Sequence, residues 1–449
     1  MEHSIRRKSS IRGWGGHPTI EAQEFTPNHA EGLAGGNVHY HPRGLGRSYG
    51  DAALPGAGHA SLNTKRLDHF IDFDEENHIL TAESGVSLEK ILEYFVPKGY
   101  FLPVTPGTKF VSLGGAVAGN VHGKNHHHHG SIEHFVKKMR VSTPIGTFDC
   151  SPDERSDLFY GTIGGYGMTG LIEQVSLQLK PVETSYFKVT KMRARNLEHL
   201  FELFELYDHY TFSMAWMDTL ARGSQMGRSV LMMGEHATLA DLPQKLRKDP
   251  LALPKPFKPN IPFYAPEFLL NRLFLSLFNL GFYTFNYKNN GEEHIEDYDT
   301  FFYPLDFIHN WYKMYGRAGF LQYQMSIPDP HGREGMREAV EFLTKQGIGS
   351  FLSVVKRCGE DEGIIPFCQK GYTLALDIPF RPERLKILDE VDKIVLKYGG
   401  RVYLGKDSRL SADMFRKMYP KASEEWKKVI DHYNPERTVS SHLAERLKI

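Results

Sequence analysis

The chain has 449 residues, a length that predicts two or three domains rather than one hydrophobic core. Apolar residues make up 41% and charged residues 24% of the chain, and the formal net charge is zero, so bulk electrostatics do not indicate nucleic-acid binding. Three cysteines provide neither a disulfide framework nor a Cys-x-x-Cys motif. The N-terminus lacks the apolar segment of a signal peptide, and no uninterrupted apolar run reaches membrane length. We therefore expect an intracellular protein, cytoplasmic or peripheral at the inner face of a membrane.

The N-terminal part, about 180 residues, alternates strand-like runs with glycine clusters. Ser87 and Glu89 mark the start of a helix after a strand that ends near Glu83. Five segments follow one another. The first is a strand that leads into a glycine loop, and the second is a strand–helix–strand unit. The third is a second glycine loop with a short helix, the fourth a hairpin, and the fifth a third glycine loop before a long strand. These segments are 35–51, 78–104, 105–130, 139–151 and 158–181. Such alternation predicts an α+β fold.

The second half has longer helices and apolar strands. It predicts helices at 196–210, 332–347 and 382–400, strands at 213–220, 228–236, 320–328, 351–358, 371–380 and 401–410, and a proline- and lysine-rich loop at 243–260. The last segment of the chain is polar and helical, and Trp426 and Tyr433 are its expected packing anchors.

Three glycine clusters in one α/β region indicate a bound dinucleotide. Only glycine lets backbone N–H groups approach a pyrophosphate without a Cβ clash, although one such cluster alone is more often an ordinary turn. The sequence has no Gly-x-Gly-x-x-Gly between a first strand and a long helix, and no Gly-x-x-x-x-Gly-Lys-[Ser/Thr]. The cofactor is therefore expected on a fold other than the Rossmann or P-loop type.

Four segments together resemble the FAD-binding fold of the vanillyl-alcohol-oxidase superfamily, also called the PCMH type. They are RGLGRSYGDAAL at 43–54, PGTKFVSLGGAVAGNVHGKNHH at 106–127, GGYGMTGLI at 164–172 and GGRVYLGKDSR at 399–409. Within that superfamily the chain resembles the decaprenylphosphoryl-β-D-ribose oxidases, the flavin half of a 2′-epimerase. The similarity runs through most of the chain, including the SMAWMD and GFLQYQ segments.

The resemblance assigns FAD-binding residues to three loops and to the C-terminal strand. They are Arg43, Gly44, Leu45, Gly46, Arg47, Ser48, Tyr49, Gly50 and Asp51 in the first loop, Gly107, Ser112, Leu113, Gly114, Gly115, Gly119, Asn120, Val121 and His122 in the second, and Ile172 and Tyr403 beyond them. Because the last contact lies near residue 400, it implies a discontinuous FAD domain, 1–184 and 400–449, around a substrate domain at 185–399. That substrate domain is expected to be an antiparallel sheet with flanking helices.

Arg47 predicts that the FAD is held without a covalent bond. Many relatives attach FAD through the histidine of a Gly-x-Gly-His-Ser motif, whereas this chain has Gly46-Arg47-Ser48. The second glycine loop contains no cysteine that could replace that histidine.

Lys406, His122 and Tyr49 are the candidate catalytic residues. A cation near the flavin N1 and C2 oxygen stabilises the charge that develops on reduction, and the resemblance places Lys406 there. His122 ends a flavin-lining loop, where an imidazole can bind the substrate or tune the ring. Tyr49 is expected to close one side of the pocket. Without the resemblance, Lys406 would be an ordinary solvated loop lysine.

Substrate-binding candidates are Gln322, Gln324, Lys356, Trp216 and Asn125. The two glutamines alternate on one strand, so their amides share a face, which suits sugar hydroxyls and equally a face exposed to water. Lys356 is a candidate phosphate ligand, whereas buried tryptophans such as Trp216 usually only pack a core.

The histidine run at 126–129 and the strand at 371–379 need separate comment. No metal site is expected in the histidine run, because adjacent side chains diverge and no cysteine or carboxylate is suitably spaced. In the strand, Thr373 and Ala375 stand where the relatives have asparagine and cysteine, which leaves the reaction class intact and the exact substrate open.

Residues 262–287 form the most apolar stretch of the chain. Two interpretations remain open: a buried helix of the second domain, or an interfacial helix or lid that admits a lipid tail. Basic residues just upstream could meet lipid phosphates, namely Lys245, Arg247, Lys248, Lys255 and Lys258.

The sequence therefore predicts an FAD enzyme that oxidises the 2′-hydroxyl of a polyprenylphosphoryl-β-D-ribose. An NAD(P)H-dependent short-chain reductase is the expected functional partner, since no nicotinamide fingerprint is present. The alternatives are a soluble alditol or aldonolactone oxidase that uses O₂, and a flavin-bearing scaffold without turnover. Arg47 and the apolar stretch speak against the first, and the combination of Lys406, His122 and Tyr49 against the second.

Overall fold

The computed structural model describes residues 5–30, 38–254, 259–266, 271–286, 290–304, 306 and 308–449. It is an α+β structure, as predicted. Its strands are β1 Ile5–Arg12, β2 Thr19–Thr26, β3 Tyr40–Arg43, β4 Ala60–Asn63, β5 Phe70–Asp74, β6 Ile79–Glu83, β7 Tyr100–Phe101, β8 Val136–Thr143, β9 Gly146–Cys150, β10 Leu171–Gln178, β11 Lys180–Pro181, β12 Tyr186–Ala194, β13 Phe212–Met217, β14 Ser229–His236, β15 Glu293–Asp297, β16 Phe320–Pro328, β17 Ser353–Cys358, β18 Gly371–Pro379 and β19 Arg401–Val402.

The α-helices within those residues are α1 Leu88–Phe95, α2 Leu113–Ala118, α3 His126–His129, α4 Ser156–Thr162, α5 Leu197–Leu206, α6 Arg272–Phe285, α7 Tyr298–Phe302, α8 Gly332–Gln346, α9 Pro382–Lys397, α10 Ala412–Met418, α11 Pro420–Tyr433 and α12 His442–Leu447. None of them is long and apolar enough to cross a membrane.

The N-terminal half is built on two sheets. A four-stranded sheet has the order β1-β2-β4-β3, and an antiparallel five-stranded sheet has the order β5-β6-β10-β8-β9. Helix α1 packs beside the second sheet with its apolar face, and its N-terminus is capped by Ser87, whose hydroxyl accepts a hydrogen bond from the Lys90 amide. Both sheets support the glycine loops, and each adds residues to the cavity, His41 and Pro42 from β3 and Leu171 and Ile172 from β10.

The second half forms one antiparallel sheet of eight strands in the order β15-β12-β14-β13-β17-β18-β16-β19. On one face, Leu321, Tyr323 and Met325 of β16 join the core formed with α5, α8 and α9. The other face carries Gln322 and Gln324. The last strand of this sheet, β19, lies just beyond the domain boundary that the sequence predicts at 399.

Two local features differ from the sequence-based expectation. The β1–β2 hairpin was not predicted, because its alternation of charged and polar residues gives little apolar signal. The histidine run forms one helical turn, α3, instead of a loop or strand. Of the apolar stretch at 262–287, residues 262–266 and 271–286 are described, and the second range contains α6. Lys255 and Lys258 lie outside the described residues.

An arginine of the last helix ties the C-terminus to the first glycine loop. Arg446 donates from Nε and Nη2 to both oxygens of Asp51, at 2.7 and 2.9 Å, and its Nη1 lies 2.9 Å from Asp407. His442 Nδ1 lies 3.1 Å from Asp51 as well. Burial alone would raise the pKa of Asp51, but the hydrogen bonds from Arg446 and His442 hold that pKa below its usual value. The carboxylate is therefore charged and fully compensated.

We expect Arg446→Met to lower the free energy of unfolding by about 3–5 kcal/mol, because it leaves two buried carboxylates without their partner. Urea unfolding followed by tryptophan fluorescence measures the change. The control is Lys427→Met, which breaks an exposed ion pair with Asp431 and should cost no more than about 1 kcal/mol. Equal losses in the two variants would contradict the role of Arg446.

Candidate active site

A cavity of about 300 Å³ lies between the glycine loops and the inner face of the eight-stranded sheet. The first loop contributes residues 44–49 and the second contributes most of 105–124. The third loop adds residues near 166–172, and the large sheet adds side chains from β13, β16, β17 and β18. The three glycine loops and the large sheet therefore meet at one site.

The glycines allow the first two loops to interlock. A Cβ on Gly44 would lie 2.0 Å from Ser112 Oγ, which is far inside contact distance. Ser112 caps α2 by accepting a hydrogen bond from the Gly115 amide. A Cβ on Gly107, by contrast, would meet no heavy atom within 4 Å, because it would project into open space. The part of the cavity between the first two loops is a trough whose walls are largely backbone. Such a trough fits a dinucleotide such as FAD.

Most of the predicted cofactor residues line this trough. They are Gly44, Leu45, Gly46, Arg47, Ser48, Tyr49, Gly107, Ser112, Gly114, Gly115, Gly119, Val121, His122, Ile172 and Tyr403. The loops are also tied to the C-terminal turn, since Ser48 Oγ donates to the Gly405 carbonyl at 2.7 Å and the Tyr403 hydroxyl donates to the Gly119 carbonyl. These residues would hold the cofactor.

Five predicted cofactor residues do not line the cavity. Arg43 donates to the Ala53 and Arg12 carbonyls and so braces its own loop. Gly50 and Asp51 face the C-terminal segment, where a Cβ on Gly50 would clash with the Asp407 carbonyl. Leu113 packs in the core of the N-terminal half, and the Asn120 amide donates to Glu133 at 3.0 Å. A motif match identifies the loops near a site. It does not distinguish the residues that line the cavity from those that hold the loop in its conformation.

Arg47 lies in the trough wall and is fixed there. Its guanidinium lies 3.8 Å from the centroid of the Trp14 ring, and its Nε donates to the Phe110 carbonyl at 3.1 Å. Burial lowers the pKa of Arg47. Two histidines, His41 and His122, also line the cavity, and neither occupies the position of the linking histidine.

Lys406 and Asp377 form a buried electrostatic pair beside Tyr49. Burial and the nearby Lys356 lower the pKa of Lys406 to about 7, while burial raises the pKa of Asp377 to about 7. Lys406 Nζ lies 5.6 Å from the centroid of the Tyr49 ring. With a pKa near neutral pH, Lys406 gains or loses its proton when the charge of a neighbouring group changes.

The two glutamines line the cavity, and neighbouring side chains hold their amide nitrogens. Gln322 Nε2 donates to Asp377 at 2.5 Å, and Gln324 Nε2 lies 2.9 Å from His122 Nε2 and 3.1 Å from Thr373 Oγ1. In both residues Oε1 is buried and has no hydrogen-bond partner among the described residues. Unpaired buried acceptors are costly, so this arrangement suits donors on a ligand, such as hydroxyl groups.

His122 is neutral in this setting. Burial and the charge of Lys356 hold the pKa of His122 well below its usual value. Its Nδ1 is buried and has no hydrogen-bond partner in the described parts of the chain. The imidazole is thus positioned to hydrogen-bond a ligand without carrying charge.

Lys124 is a site residue that sequence reasoning missed. It lines the cavity with Lys356 and Lys406, and burial lowers the pKa of Lys124 to about 7. Its Nζ donates to the Phe301 carbonyl, and Lys356 Nζ lies 3.5 Å from the Gly123 carbonyl. The signal was present, because Lys124 follows His122 by two residues in a flavin-lining motif. Asp377 was missed too, although a lone carboxylate in an apolar strand is itself a signal.

Trp216 and Asn125 do not line the cavity. The Trp216 indole donates to the Phe351 carbonyl at 3.1 Å, and its ring packs against Phe282 of α6. Asn125 Nδ2 donates to the Pro103 carbonyl at 2.8 Å and shapes the loop before α3. Both residues support the wall rather than form it, because Trp216 Nε1 and Asn125 Nδ2 each donate to a backbone carbonyl.

Comparison with known proteins agrees with this geometry. Residues 33–151 match the FAD-binding domain family. The chain is 33% identical over 414 residues to a decaprenylphosphoryl-β-D-ribose oxidase of Mycolicibacterium smegmatis, covering 91% of this chain and 88% of that protein. It is 31% identical over 373 residues to an uncharacterised protein of Streptomyces coelicolor, covering 81% of this chain and all of that protein. Human Δ(24)-sterol reductase matches over a shorter region, 25% identical over 141 residues and covering 31% and 27% of the two chains.

We expect the purified protein to release its flavin as free FAD when it is denatured by acid. Arg47 cannot form the histidyl–flavin bond, and its guanidinium is occupied by Trp14 and Phe110. The measurement is the flavin absorbance of the supernatant and of the precipitated polypeptide. Flavin that stays with the polypeptide would contradict the prediction, and peptide mapping at His41 and His122 would then identify the attachment point.

Proposed function

Because this chain belongs to the family of decaprenylphosphoryl-β-D-ribose oxidases, we propose that it oxidises the 2′-hydroxyl of a polyprenylphosphoryl-β-D-ribose to the 2′-keto form. The chain is an FAD-dependent oxidoreductase, and FAD, when bound, supplies the acceptor for the hydride that leaves the substrate carbon. The observation that carries the proposal is the lining of the cavity, which sets Gln322 and Gln324, each with an unpaired amide oxygen, beside Lys124, Lys356 and Lys406.

The amide oxygens and the lysines suit the two polar parts of such a substrate. Gln322 and Gln324 accept hydrogen bonds from sugar hydroxyls, and their side chains are held by Asp377 and His122. Buried lysines repel one another, which contributes to the lowered pKa of both Lys124 and Lys406. A phosphate diester relieves that repulsion and restores the charged form of each amine. The pocket therefore favours a phosphorylated sugar over a free sugar.

The proposed role of Lys406 is to hold positive charge where negative charge develops during hydride transfer. A preorganised charge in a buried site is effective because no solvent must reorganise around it. His122 Nδ1 and Gln324 Oε1 hold the reacting hydroxyl in place, and Tyr49 helps to exclude water from that side of the cavity.

The keto product implies a second enzyme. This chain carries no nicotinamide fingerprint, so reduction of the keto sugar to its 2′-epimer requires a separate NAD(P)H-dependent reductase. The two reactions together constitute an epimerisation to the arabinose product.

Helix α6 is the proposed contact with the membrane that holds the lipid tail. It docks on the large sheet through a narrow stripe of buried residues, Leu275, Asn279 and Tyr283, with Asn279 donating to Asp218 at 2.8 Å. The remaining apolar side chains face outward, and Leu273, Leu277 and Phe285 are 70%, 58% and 82% exposed. Such a patch marks an interaction surface.

The helix also lies close to the cavity wall. Phe278 packs against Phe351 at 5.2 Å between ring centroids, and the next residue, Leu352, lines the cavity. Exposed basic residues in the preceding loop, Lys245 and Lys248, add attraction to an anionic leaflet. These contacts support a helix α6 that is fixed to the large sheet by its buried residues, with its exposed apolar side chains available to contact lipid.

We expect Lys406→Ala to retain FAD and to lose substrate-dependent flavin reduction by about 10²–10³-fold, the cost of removing one preorganised donor. Stopped-flow absorbance with a polyprenylphosphoryl ribose measures the rate, and free pentoses and aldonolactones serve as comparison substrates. Because the pKa of Lys406 is about 7 without substrate, loss of the cation should reduce the wild-type rate at sub-saturating substrate as pH rises through that value.

Lys406→Arg is the matched control for charge. Arginine stays protonated, so the fall in rate above neutral pH should disappear in this variant. A wild-type rate that instead rises through pH 7 would mean that the neutral amine accepts the hydroxyl proton. Reduction by aldonolactones but not by the lipid-linked sugar would overturn the proposed substrate.

We expect the triple variant with serine at Leu273, Leu277 and Phe285 to lose binding to anionic liposomes while keeping its FAD. Each fully buried side chain of this kind contributes about 1.5–3 kcal/mol, enough in sum for reversible association. Co-sedimentation measures binding, and activity on long-chain and short-chain substrates measures coupling to the tail. The control places serine at Ile71, Ile145 and Leu206, which are exposed elsewhere. If both variants bind liposomes equally, α6 is not the part of the protein that contacts the membrane.

A further inference from the structure

Two buried cysteines lie side by side behind the cavity wall. Cys358 ends β17, Cys368 lies in the loop that leads to β18, and their Sγ atoms are 3.7 Å apart. Both are buried in a cluster with Phe367 and Tyr403. Tyr403 also lines the cavity, so a single side chain separates the thiols from a small molecule inside the cavity.

We propose that Cys358 and Cys368 are a redox-active dithiol that closes to a disulfide on oxidation by a hydroperoxide. A disulfide requires an S–S distance of about 2.0 Å, so the sulfurs must approach by roughly 1.7 Å, within the reach of side-chain rotation and a small loop shift. The site is independent of the reaction proposed above, and it uses no residue assigned to that reaction.

The two thiols are chemically unequal, as such a reaction requires. The hydrogen bond with Cys368 is the main cause that lowers the pKa of Cys358 to about 5, against the effect of burial. Burial raises the pKa of Cys368. Cys358 is therefore the thiolate that attacks and Cys368 the thiol that resolves the product.

The reaction balances with hydrogen peroxide as the oxidant. The Cys358 thiolate attacks one peroxide oxygen, the O–O bond breaks, and hydroxide leaves with the proton that the thiol has lost. Cys368 then attacks Cys358 Sγ, the S–O bond of the sulfenic acid breaks, and the second hydroxide leaves as water with the Cys368 proton. Two thiols and one peroxide give one disulfide and two waters.

A metal ion is the alternative occupant, because His126 lies within 4.8 Å of both sulfurs when one ligand atom is taken from each residue. The hydrogen bonds of His126 disfavour it. The Gly359 amide donates to Nδ1 at 3.0 Å, and Nε2 lies 2.8 Å from Asp361 Oδ1 and 3.2 Å from Ser131 Oγ. Both ring nitrogens are thus engaged, which leaves no lone pair directed at a metal.

Disulfide closure would act on the cavity through the loop between β17 and β18. Phe367, the neighbour of Cys368, packs against His122 at 5.4 Å and Tyr403 at 4.7 Å between ring centroids. The Cys368 amide also donates to Asp361 Oδ2 at 3.0 Å, so movement of Cys368 is transmitted to the loop. Oxidation should therefore shift the absorption band of bound FAD.

The test treats the FAD-loaded protein with hydrogen peroxide, alkylates the remaining thiols in denaturant and maps the peptides by mass spectrometry. We expect a crosslinked Cys358–Cys368 peptide that dithiothreitol reverses, together with a reversible shift of the flavin band. Cys150 is the internal control and should stay alkylated, because it is buried in β9 and burial raises the pKa of Cys150 to about 12.

Single variants distinguish the two thiols. In Cys368→Ser a sulfenic acid should be trapped on Cys358 by dimedone, whereas Cys358→Ser should give no trapped product on Cys368. Two results would overturn the proposal. One is two intact thiols after peroxide treatment that oxidises surface methionines. The other is a stoichiometric metal in the purified protein that is lost in Cys368→Ser.

Discussion

The pairing of Arg446 with two buried carboxylates is the constraint on which the site depends. Asp51 follows the first glycine loop and Asp407 follows Lys406, so one guanidinium fixes the positions of both segments. The close packing of Gly50 on the Asp407 carbonyl leaves no freedom between them. Arg446 belongs to the last helix, which follows the large sheet in the chain. The cavity is therefore complete only when this C-terminal helix has packed against the first glycine loop.

The same buried setting determines the electrostatics of the cavity. Burial and the charge of Lys356 lower the pKa of both Lys124 and Lys406, while burial raises the pKa of Asp377 to about 7. Uncompensated charge in a buried site is unfavourable, and an anionic ligand would offset that cost. For the phosphorylated sugar proposed above, phosphate binding and protonation of these lysines are therefore coupled.

The α+β class could be predicted from the strand and helix patterns, and most residues of the trough from the resemblance to a known family. The alternation on β16 placed Gln322 and Gln324 on one face and their apolar neighbours on the other. What the sequence could not supply are contacts between distant segments. Asp51 and Trp216 belong to motifs near the site yet face away from it, and the approach of His126 to Cys358 joins residues more than two hundred positions apart.

The strand β18 holds the side chains of β16 in place at the cavity wall. The Thr373 hydroxyl accepts a hydrogen bond from Gln324 and donates one to the Met325 carbonyl at 2.7 Å. The orientation of Gln324, and through it of His122, is thereby fixed by the backbone of its own strand. Ala375, the cross-strand partner of Gln324, also lines the cavity. Its small side chain adds no thiol at that position, whereas Cys358 and Cys368 lie behind the wall, in a cluster with Phe367 and Tyr403.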